Sequence, residues 1–435
     1  MFEQIKMLAE GMEQELIALR RDFHKHPELC WEEMRTTSLI ARHLKDLGYE
    51  LILGDALCNP EDRLGVPGAQ KLEAAYARAE AQGADPEFLP YTKGGMTGVI
   101  GILRCGEGPT VALRFDIDAL PVNETLDAGH FPKEEGFLSV NTGVMHACGH
   151  DGHAAIGMGV ARILAELKEN LHGTVKLIFQ PAEEGVHGAK PIVEKGHLDD
   201  VQFLLGSHID KRRADEPGAS LIPGSYGSLA TRKYDVYYHG LAAHAGASPH
   251  LGNNALLAAS AAVLNLNAIP RHGEGVSRIN VGKLVAGTGL NVIADEAYMG
   301  LEVRGGTTKI NEYMIDCAEK ILDNCAAMYG CTCEKIITGA AESLDSDLDF
   351  AEQIRDVCKD KMGMQVSQKL SVVSFGSEDF SYMMNRVQSH GGKASFMRCL
   401  ADFKGVAHND HFDFSEDCLV EGVKAFSAMA LEILG

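Results

Sequence analysis

The first half of the chain mixes helical and strand-like spacings of apolar residues. Apolar positions recur at helical spacing across residues 12–47, with a break near Pro27. Strand-like runs follow in the segments TGVIGIL, TVALRF, TVKLIF and VQFLLG. Between two of these runs, one face of a predicted helix carries Ile156, Val160, Ile163, Leu164 and Leu167. Strands that alternate with helices predict an α/β sheet.

A segment between Gly54 and Gly95 separates the first helices from these strands. It begins and ends like a loop and contains the helical stretch KLEAAYARAEAQ. We interpret this segment, residues 54–95, as an insertion into the larger domain.

The pattern changes after residue 226. Strand-like alternation in RKYDVYYHG is followed by a helical run, two strands, a second helical run and a last strand, CTCEKIITGA. This βαββαβ order is typical of a ferredoxin-like unit. We therefore predict an inserted domain at residues 227–341, within a larger domain made of residues 1–226 and 342–435.

Length, composition and charge narrow the class of protein. A chain of 435 residues with 45% apolar and 23% charged residues fits two globular domains. The net charge of -21 argues against nucleic acid as a partner. Eleven cysteines without paired spacing indicate reduced thiols in a cytoplasmic protein, and no apolar run is long enough to cross a membrane.

Residues that could bind metal stand mostly just past predicted strands. The sets are Asp116 with Asp118, Cys148 with His150, Glu183 with Glu184, His208, and, near the end of the chain, His408. Each alone has an ordinary structural explanation, such as a turn cap, a buried thiol, a solvated acid or a core histidine. Ligands of α/β sheets bind at the carboxyl ends of strands, and so many ligating groups at one edge would require a cation.

The neighbouring carboxylates of Glu183 and Glu184 could serve two different chemical roles. One carboxylate can bind a metal while the other accepts a proton from the attacking water, and a thiolate or carboxylate can bridge two ions.

Two alternatives to a metal-dependent hydrolase stay open. Cys148 could act as a nucleophile with a histidine as its base. The chain could also be a non-catalytic subunit that binds metal and supports a related chain.

Six motifs together resemble one known family. RRDFHKHPEL, RFDIDALP, MHACGHDGHAA, FQPAEEG, GLAAHAGASP and GSEDF are similar to motifs of the dinuclear-metal amidohydrolases of the aminoacylase, carboxypeptidase and auxin-conjugate hydrolase group. The insertion and the tail AHNDHFDF resemble the branch that hydrolyses p-aminobenzoyl-glutamate. The resemblance implies a mixed-sheet metallopeptidase domain that carries an inserted lid domain for dimerisation.

The resemblance also implies roles for individual residues. The implied metal ligands are Cys148, His150, Glu184, His208 and His408. Glu183 matches the general base, and His244 matches a histidine that polarises the scissile carbonyl from the partner subunit. Asn291 and Arg304 match residues that hold the substrate carboxylate, although Ala294 replaces a proline usual in relatives. Asp116 and Asp118 occupy the wider clan's histidine-x-aspartate motif, and we expect them to support the ligands.

The implied cofactors are two divalent ions. The mixed sulfur, nitrogen and oxygen ligand set suits manganese or zinc, and also nickel or cobalt. The implied substrate is an N-acyl amino acid, with p-aminobenzoyl-glutamate first and hippurate, N-acetyl or indole-acetyl conjugates as alternatives. The expected partners are a second copy of the chain, bound through the lid, and a homologous B-type subunit.

Four other histidines are not expected to bind metal. His24 and His26 stand at a predicted helix end, where a histidine complements the helix dipole. His146 and His153 flank the Cys148 and His150 pair, and we expect them to support it.

Overall fold

The computed structural model describes residues 1–373 and 376–435. In chain order, the α-helices are α1 (Phe2–Gly11), α2 (Glu13–Lys25), α3 (Met34–Asp46), α4 (Ala69–Ala81), α5 (Phe131–Glu134), α6 (His150–Glu166), α7 (Ala189–Glu194), α8 (Ala255–Asn267), α9 (Thr308–Met328), α10 (Leu348–Asp356), α11 (Phe380–Ser389) and α12 (Asp417–Leu434).

The strands are β1 (Glu50–Ile52), β2 (Val99–Arg104), β3 (Thr110–Asp116), β4 (Thr174–Gln180), β5 (Phe203–Lys211), β6 (Leu221–Ile222), β7 (Ser225–Tyr226), β8 (Ala230–His239), β9 (Ser277–Ala286), β10 (Glu296–Gly305), β11 (Thr332–Ala341), β12 (Ser371–Val372), β13 (Lys393–Ala401), β14 (Phe403–Lys404) and β15 (Asp413–Phe414). The described chain divides into two compact units. Unit 1 comprises Met1–Tyr226, Asp345–Val372 and Tyr382–Gly435, and unit 2 comprises Gly227–Leu344 with the described part of Val373–Ser381.

Unit 1 is built on a mixed sheet. Its described strands run in the order β1-β2-β4-β3-β5-β13-β6. The pairs β4/β3, β3/β5 and β5/β13 are parallel, whereas β1, β2 and β6 pair antiparallel with their neighbours. The parallel strands therefore end at a common edge, and the segments that follow β3 and β4 begin there. The predicted mixed α/β sheet is confirmed.

Helices α6 and α12 cover this sheet with apolar side chains. Phe115 of β3 lies 5.5 Å from Phe179 of β4 and 4.9 Å from Phe426 of α12, measured between ring centroids. Ile156 of α6 joins the same fully buried cluster. Burial of these aromatic and aliphatic side chains stabilises the packing of α6 and α12 against the sheet.

Unit 2 is an antiparallel sheet with two helices. Its described strands run in the order β11-β8-β10-β9, and the chain order β8-α8-β9-β10-α9-β11 is the βαββαβ order expected from the sequence. Along β8, Tyr234, Val236 and Tyr238 are buried, and they pack with apolar residues of α8 and α9. The period of two along the strand puts these side chains on one covered face.

The insertion folds as a small helical layer within unit 1. Leu72, Ala75 and Ala79 of α4 are buried against Met34 of α3 and Leu89. The helical stretch expected in this segment is thus present. In the described part of the chain, no helix combines the length and hydropathy that a membrane span requires.

Among the elements not anticipated from the sequence, two are prominent. Helix α1 precedes the region where helical spacing was recognised, and β13 lies between two helices of the last part of unit 1. From Ala394 to Ala401, β13 is buried throughout, so it lacks the alternation that marks a half-exposed strand.

Candidate active site

Cys148 and His150 stand at the beginning of α6. We expected this pair to come just after a strand, but the preceding strand, β3, ends at Asp116, far upstream, and His150 is the first residue of a helix. Gly149 separates the two residues with φ +92°, a backbone conformation that residues with a side chain rarely adopt. The turn at Gly149 lets both neighbouring side chains take part in one cluster.

Glu183 and Glu184 lie in the loop that follows β4. This loop, residues 181–188, is called the doublet loop below. Two of its residues with side chains have positive φ, Ala182 at 53° and Val186 at 66°. Such conformations cost free energy and persist only where surrounding structure holds them.

His208 and His408 come from other parts of unit 1. His208 lies inside β5, which extends further than the strand expected from the sequence. His408 has φ 64°, and its backbone N–H donates to the carbonyl of Ala147 at 2.7 Å. This hydrogen bond fastens the segment of His408 beside Cys148.

The five proposed metal ligands form one connected cluster, and Glu183 lies beside His150 of that cluster. His150 Nε2 lies 3.9 Å from Glu183 Oε2 and 4.0 Å from Glu184 Oε1. His408 Nε2 lies 3.5 Å from Glu184 Oε1, and Cys148 Sγ lies 3.4 Å from His208 Nε2. Cys148 belongs to two candidate ligand groups, one with His150 and His208 and one with Glu184 and His408. A thiolate shared by two groups could bridge two ions.

The polar atoms of the cluster fit a cation. His150 Nδ1 donates to the carbonyl of Asp118 at 2.9 Å, and His208 Nδ1 donates to the carbonyl of Ile209 at 2.7 Å. Among the described residues, buried His150 Nε2 and Glu184 Oε1 have no hydrogen-bond partner. Buried polar atoms are normally paired, and metal-binding histidines normally donate their other nitrogen in this way.

Asp116 is held by protein groups. Arg114 donates to Asp116 Oδ2 at 2.6 Å, and His153 Nδ1 donates to Asp116 Oδ1. His153 Nε2 in turn accepts the backbone N–H of Ile209 at 2.8 Å. Burial opposes ionisation, but the charges of Arg114, His150 and His153 keep the pKa of Asp116 well below its usual value.

The same surroundings shift other pKa values in the cluster. Burial raises the pKa of Cys148 well above the usual thiol value, which disfavours a free thiolate nucleophile. Burial also raises the pKa of Glu184 to about 7. Burial, with His153 and Arg398 nearby, lowers the pKa of His208 well below its usual value, so its imidazole is neutral and able to bind a metal.

His244 and Asn291 lie together in unit 2. The backbone N–H of Ala245 donates to the carbonyl of Asn291 at 2.9 Å, which joins the two loops. His244 Nδ1 accepts the N–H groups of Gly246 at 3.2 Å and Ala247 at 3.0 Å. The ring proton of a neutral His244 is therefore on Nε2.

Arg304 in β10 is engaged by its own strand. Its Nε donates to Glu302 Oε1 at 2.5 Å and its Nη2 donates to Glu302 Oε2 at 3.1 Å. The role of Arg304 in binding a substrate carboxylate stays a prediction. In that role, the substrate carboxylate would have to compete with Glu302 for the guanidinium.

A buried ionic network beside the cluster was missed by sequence reasoning. Arg20 donates to Asp151 at 2.8 Å and to Asp413 at 2.7 Å. His24, expected only to end a helix, bonds Asp151 and Glu124, both at 3.0 Å. The RRDFHKH motif carries Arg20 and His24, but these acidic partners lie at least 100 residues further along the chain, so spacing gave no signal.

His146 and His153, which flank the Cys148 and His150 pair, differ in their contacts. His153 supports the cluster through Asp116, as described above. His146 is buried, and neither ring nitrogen bonds any part of the chain that the structure describes. Burial lowers the pKa of His146 to about 3, so its ring is neutral.

Comparison with known proteins gives relatives along nearly the whole chain. The chain is 40% identical over 430 residues to a p-aminobenzoyl-glutamate hydrolase subunit of Escherichia coli (strain K12), covering 99% of this chain and 98% of the relative. It is 42% identical over 418 residues to indole-3-acetyl-aspartic acid hydrolase of Enterobacter agglomerans, covering 96% and 95%.

A solved structure shares the fold. The YXEP protein of Bacillus subtilis, described as a dinuclear metal binding peptidase from the M20 family, superposes with a TM-score of 0.66 at 26% identity, covering 98% of this chain and 99% of that one. The sequence pattern of peptidase family M20/M25/M40 matches residues 112–432. These matches, together with the mixed sheet and the clustered ligand groups, show that the chain belongs to peptidase family M20/M25/M40.

Proposed function

We propose that this protein is a metal-dependent hydrolase of the amide bond in N-acyl amino acids, with p-aminobenzoyl-glutamate as the first candidate substrate. The observation that carries the proposal is the cluster of Cys148, His150, Glu184, His208 and His408, with a second carboxylate, Glu183, beside His150. A purely structural metal site would not need this additional acid.

The residues present fit two divalent ions, with manganese or zinc first and nickel or cobalt as alternatives. Cys148 would be shared, with His150 and His208 on one side and Glu184 and His408 on the other. A divalent cation supplies Lewis acidity, which polarises a carbonyl oxygen and acidifies water.

Glu183 is the proposed general base and acid. Its Oε2 lies 3.9 Å from His150 Nε2, and its side chain is 10% exposed. We propose that this carboxylate accepts the proton of the attacking water and then delivers it to the leaving amine nitrogen. General acid-base catalysis of this kind contributes roughly 10²–10⁴-fold to the rate.

His244 is the proposed donor to the substrate carbonyl. Because its Nδ1 already accepts two backbone N–H groups, the proton on Nε2 is available to a developing oxyanion. We propose that the partner subunit of a homodimer supplies this residue, and that Asn291 and Arg304 hold the substrate carboxylate. The dimer would form through the inserted domain at residues 227–341.

The proposed substrate has an aromatic acyl group joined to an acidic amino acid. One relative is named for p-aminobenzoyl-glutamate and another for indole-3-acetyl-aspartate, and both substrates join an aromatic acyl group to an acidic amino acid. Because the first relative is named as one subunit of its hydrolase, we propose a homologous B-type chain as a further partner. All eleven cysteines are free thiols, which supports a cytoplasmic location.

The first experiment measures hydrolysis by the purified protein loaded with manganese or zinc. The substrates are p-aminobenzoyl-glutamate, indole-3-acetyl-aspartate, hippurate and an N-acetyl amino acid, each with and without a chelator. We expect chelator-sensitive release of p-aminobenzoate to be fastest. Faster cleavage of another conjugate would keep the reaction and replace the substrate, whereas no cleavage, even with a B-type chain added, would refute the proposed function.

A further inference from the structure

The insertion at residues 54–95 has no part in the proposed chemistry, yet it touches the loop that carries Glu183. We propose that the insertion holds the doublet loop in its working conformation, and that Trp31, Glu33 and His187 are positioning residues for Glu183 and Glu184. This inference rests on the proposed function only where it predicts a change in turnover.

The doublet loop needs external support. Ala182 and Val186, on either side of the glutamates, both have positive φ, a conformation that is unfavourable for residues with a side chain. Within the loop, the N–H of Val186 donates to the carbonyl of Glu183 at 2.7 Å, and the N–H of His187 donates to the carbonyl of Ala182 at 3.1 Å. Bonds of this short range close a turn but do not fix its direction, so contacts from outside the loop are required.

The first external contact is made by Glu33. Its buried carboxylate accepts the N–H of Ala182 at 2.8 Å and the hydroxyl of Thr97 at 2.7 Å. Thr97 follows the last residue of the insertion by two positions. Glu33 therefore ties the entry of the doublet loop to the point where the insertion returns to the sheet.

The second contact passes through Cys30 and Trp31. Cys30 Sγ donates to the carbonyl of Glu184 at 2.8 Å. The next residue, Trp31, is fully buried with φ 62°, and its Nε1–H donates to the carbonyl of Leu64 in the insertion at 2.7 Å. The guanidinium of Arg63, also in the insertion, lies 5.2 Å from the Trp31 ring centroid. The insertion thus fixes the indole, and the adjacent residue holds the backbone of Glu184.

The third contact is made by His187 within the loop itself. Its imidazole lies between the backbones of Gly65 in the insertion and Gly185 in the loop. A Cβ added at Gly65 would lie 2.6 Å from His187 Cε1, and one added at Gly185 would lie 2.7 Å from the same atom. Both glycines have positive φ, +64° and +96°. The imidazole can therefore stack this closely only while both positions lack side chains.

Two further hydrogen bonds join the insertion to residues that follow the doublet loop. Lys195 Nζ donates to Asn59 Oδ1 at 2.8 Å, and His197 Nε2 donates to the carbonyl of Ala56 at 2.9 Å. The insertion therefore contacts the chain both at the doublet loop and just after α7, the helix that follows this loop. A displacement of about 1 Å in a catalytic group can cost roughly 100-fold in rate, so this attachment bears on turnover.

The test compares Gly65→Ala with Gly83→Ala. Gly83 also lies in the insertion with positive φ, +87°, but a Cβ there would have nothing within 4 Å. Both variants carry the backbone strain of alanine at positive φ, and only Gly65→Ala presses on His187. We measure hydrogen–deuterium exchange of peptides covering residues 181–190 in the full-length protein.

We expect exchange in this segment to rise at least about fivefold in Gly65→Ala and to stay at the wild-type rate in Gly83→Ala, because only the former displaces the doublet loop. In a His187→Ala background, Gly65→Ala should add no further increase, since the imidazole that it contacts is gone. Equal effects of the two glycine variants, or a full further increase in the His187→Ala background, would overturn the proposal.

Trp31→Phe provides a second variant in case Gly65→Ala does not fold. It keeps the aromatic ring and removes the bond to Leu64, so exchange in residues 181–190 should again rise. Wild-type exchange in a folded Trp31→Phe protein would contradict the proposed attachment.

Kinetics separate this role from general loss of structure. On the best substrate of the panel, Gly65→Ala should lower kcat about tenfold or more and leave KM within about twofold, because Glu183 acts in the chemical step. A raised KM with unchanged kcat would refute the positioning role. If the wild-type protein cleaves no substrate, the proposed function fails, and the exchange measurement alone decides the attachment.

Discussion

At the scale of single residues, His150 shows how the neighbours of a side chain select its chemistry. The carbonyl of Asp118 accepts the Nδ1–H at 2.9 Å, so a bound cation would engage the lone pair on Nε2. That nitrogen faces Glu183 and Glu184 at 3.9 and 4.0 Å and has no hydrogen-bond partner among the described residues. Substitution can therefore distinguish the proposed base, Glu183, from the proposed metal ligand, His150.

Glu183→Gln tests this distinction against His150→Ala. We expect Glu183→Gln to lower kcat by roughly 10²–10⁴-fold and to keep its bound metal, because the amide cannot accept a proton. His150→Ala should lose metal and activity together, since it removes a proposed ligand. The measurements are kcat and metal content by mass spectrometry. Wild-type turnover in Glu183→Gln would rule out its role as the base.

At the scale of elements, Arg20 joins three segments around the site. It extends from α2 to Asp151 of α6, next to His150, and to Asp413 of β15, five residues after His408. The side chains of Arg20 and Asp151 are fully buried, and Asp413 is 1% exposed. The guanidinium therefore neutralises carboxylates that water cannot reach.

Arg20→Ala should destabilise the protein strongly. Removing one partner of a buried ionic group leaves charge without compensation, which costs about 3–5 kcal/mol. The matched control is the neighbouring Arg21→Ala, because Arg21 makes partly exposed ion pairs with Glu135 and Glu416, worth about 0–1 kcal/mol.

Urea unfolding of both variants gives the two free energies of unfolding. A cost for Arg20→Ala no larger than that for Arg21→Ala would show that Arg20 does not organise this network.

At the scale of the whole molecule, unit 2 carries apolar side chains that a single chain leaves uncovered. Leu256, Leu257 and Leu264 of α8 are exposed, and so are Leu284 and Val285 of β9, the edge strand that contacts α8. Exposed apolar side chains gathered on one helix and a neighbouring strand are candidates for an interaction surface. An edge strand also has unpaired backbone groups that a second copy could use.

Leu264→Glu is expected to prevent the proposed dimerisation. Leu264 is 74% exposed, so a glutamate there is tolerated in the single chain and would be desolvated in a dimer interface. Leu126→Glu is the control, because Leu126 is similarly exposed, at 71%, and lies in unit 1. The measurement is molar mass by light scattering after gel filtration. A monomeric wild type, or a dimeric Leu264→Glu variant, would refute dimerisation through this surface.

The sequence by itself determined the class of fold and most of the candidate ligands. Apolar spacing predicts α6, α8 and α9, and alternation predicts the strands of unit 2, because local periodicity reflects which face is buried. The ACGH and EEG motifs bring ligand types together within a few residues, so Cys148, His150, Glu183 and Glu184 could be identified without a structure.

Only the tertiary structure decided which polar groups act together. β13 has no alternation because it is buried, and Arg20 and His24 become important through acids on other elements. The support of the doublet loop by Trp31 and Gly65 likewise joins segments more than 100 residues apart. Periodicity and spacing report only local geometry, whereas hydrogen bonding and desolvation depend on neighbours that packing brings together.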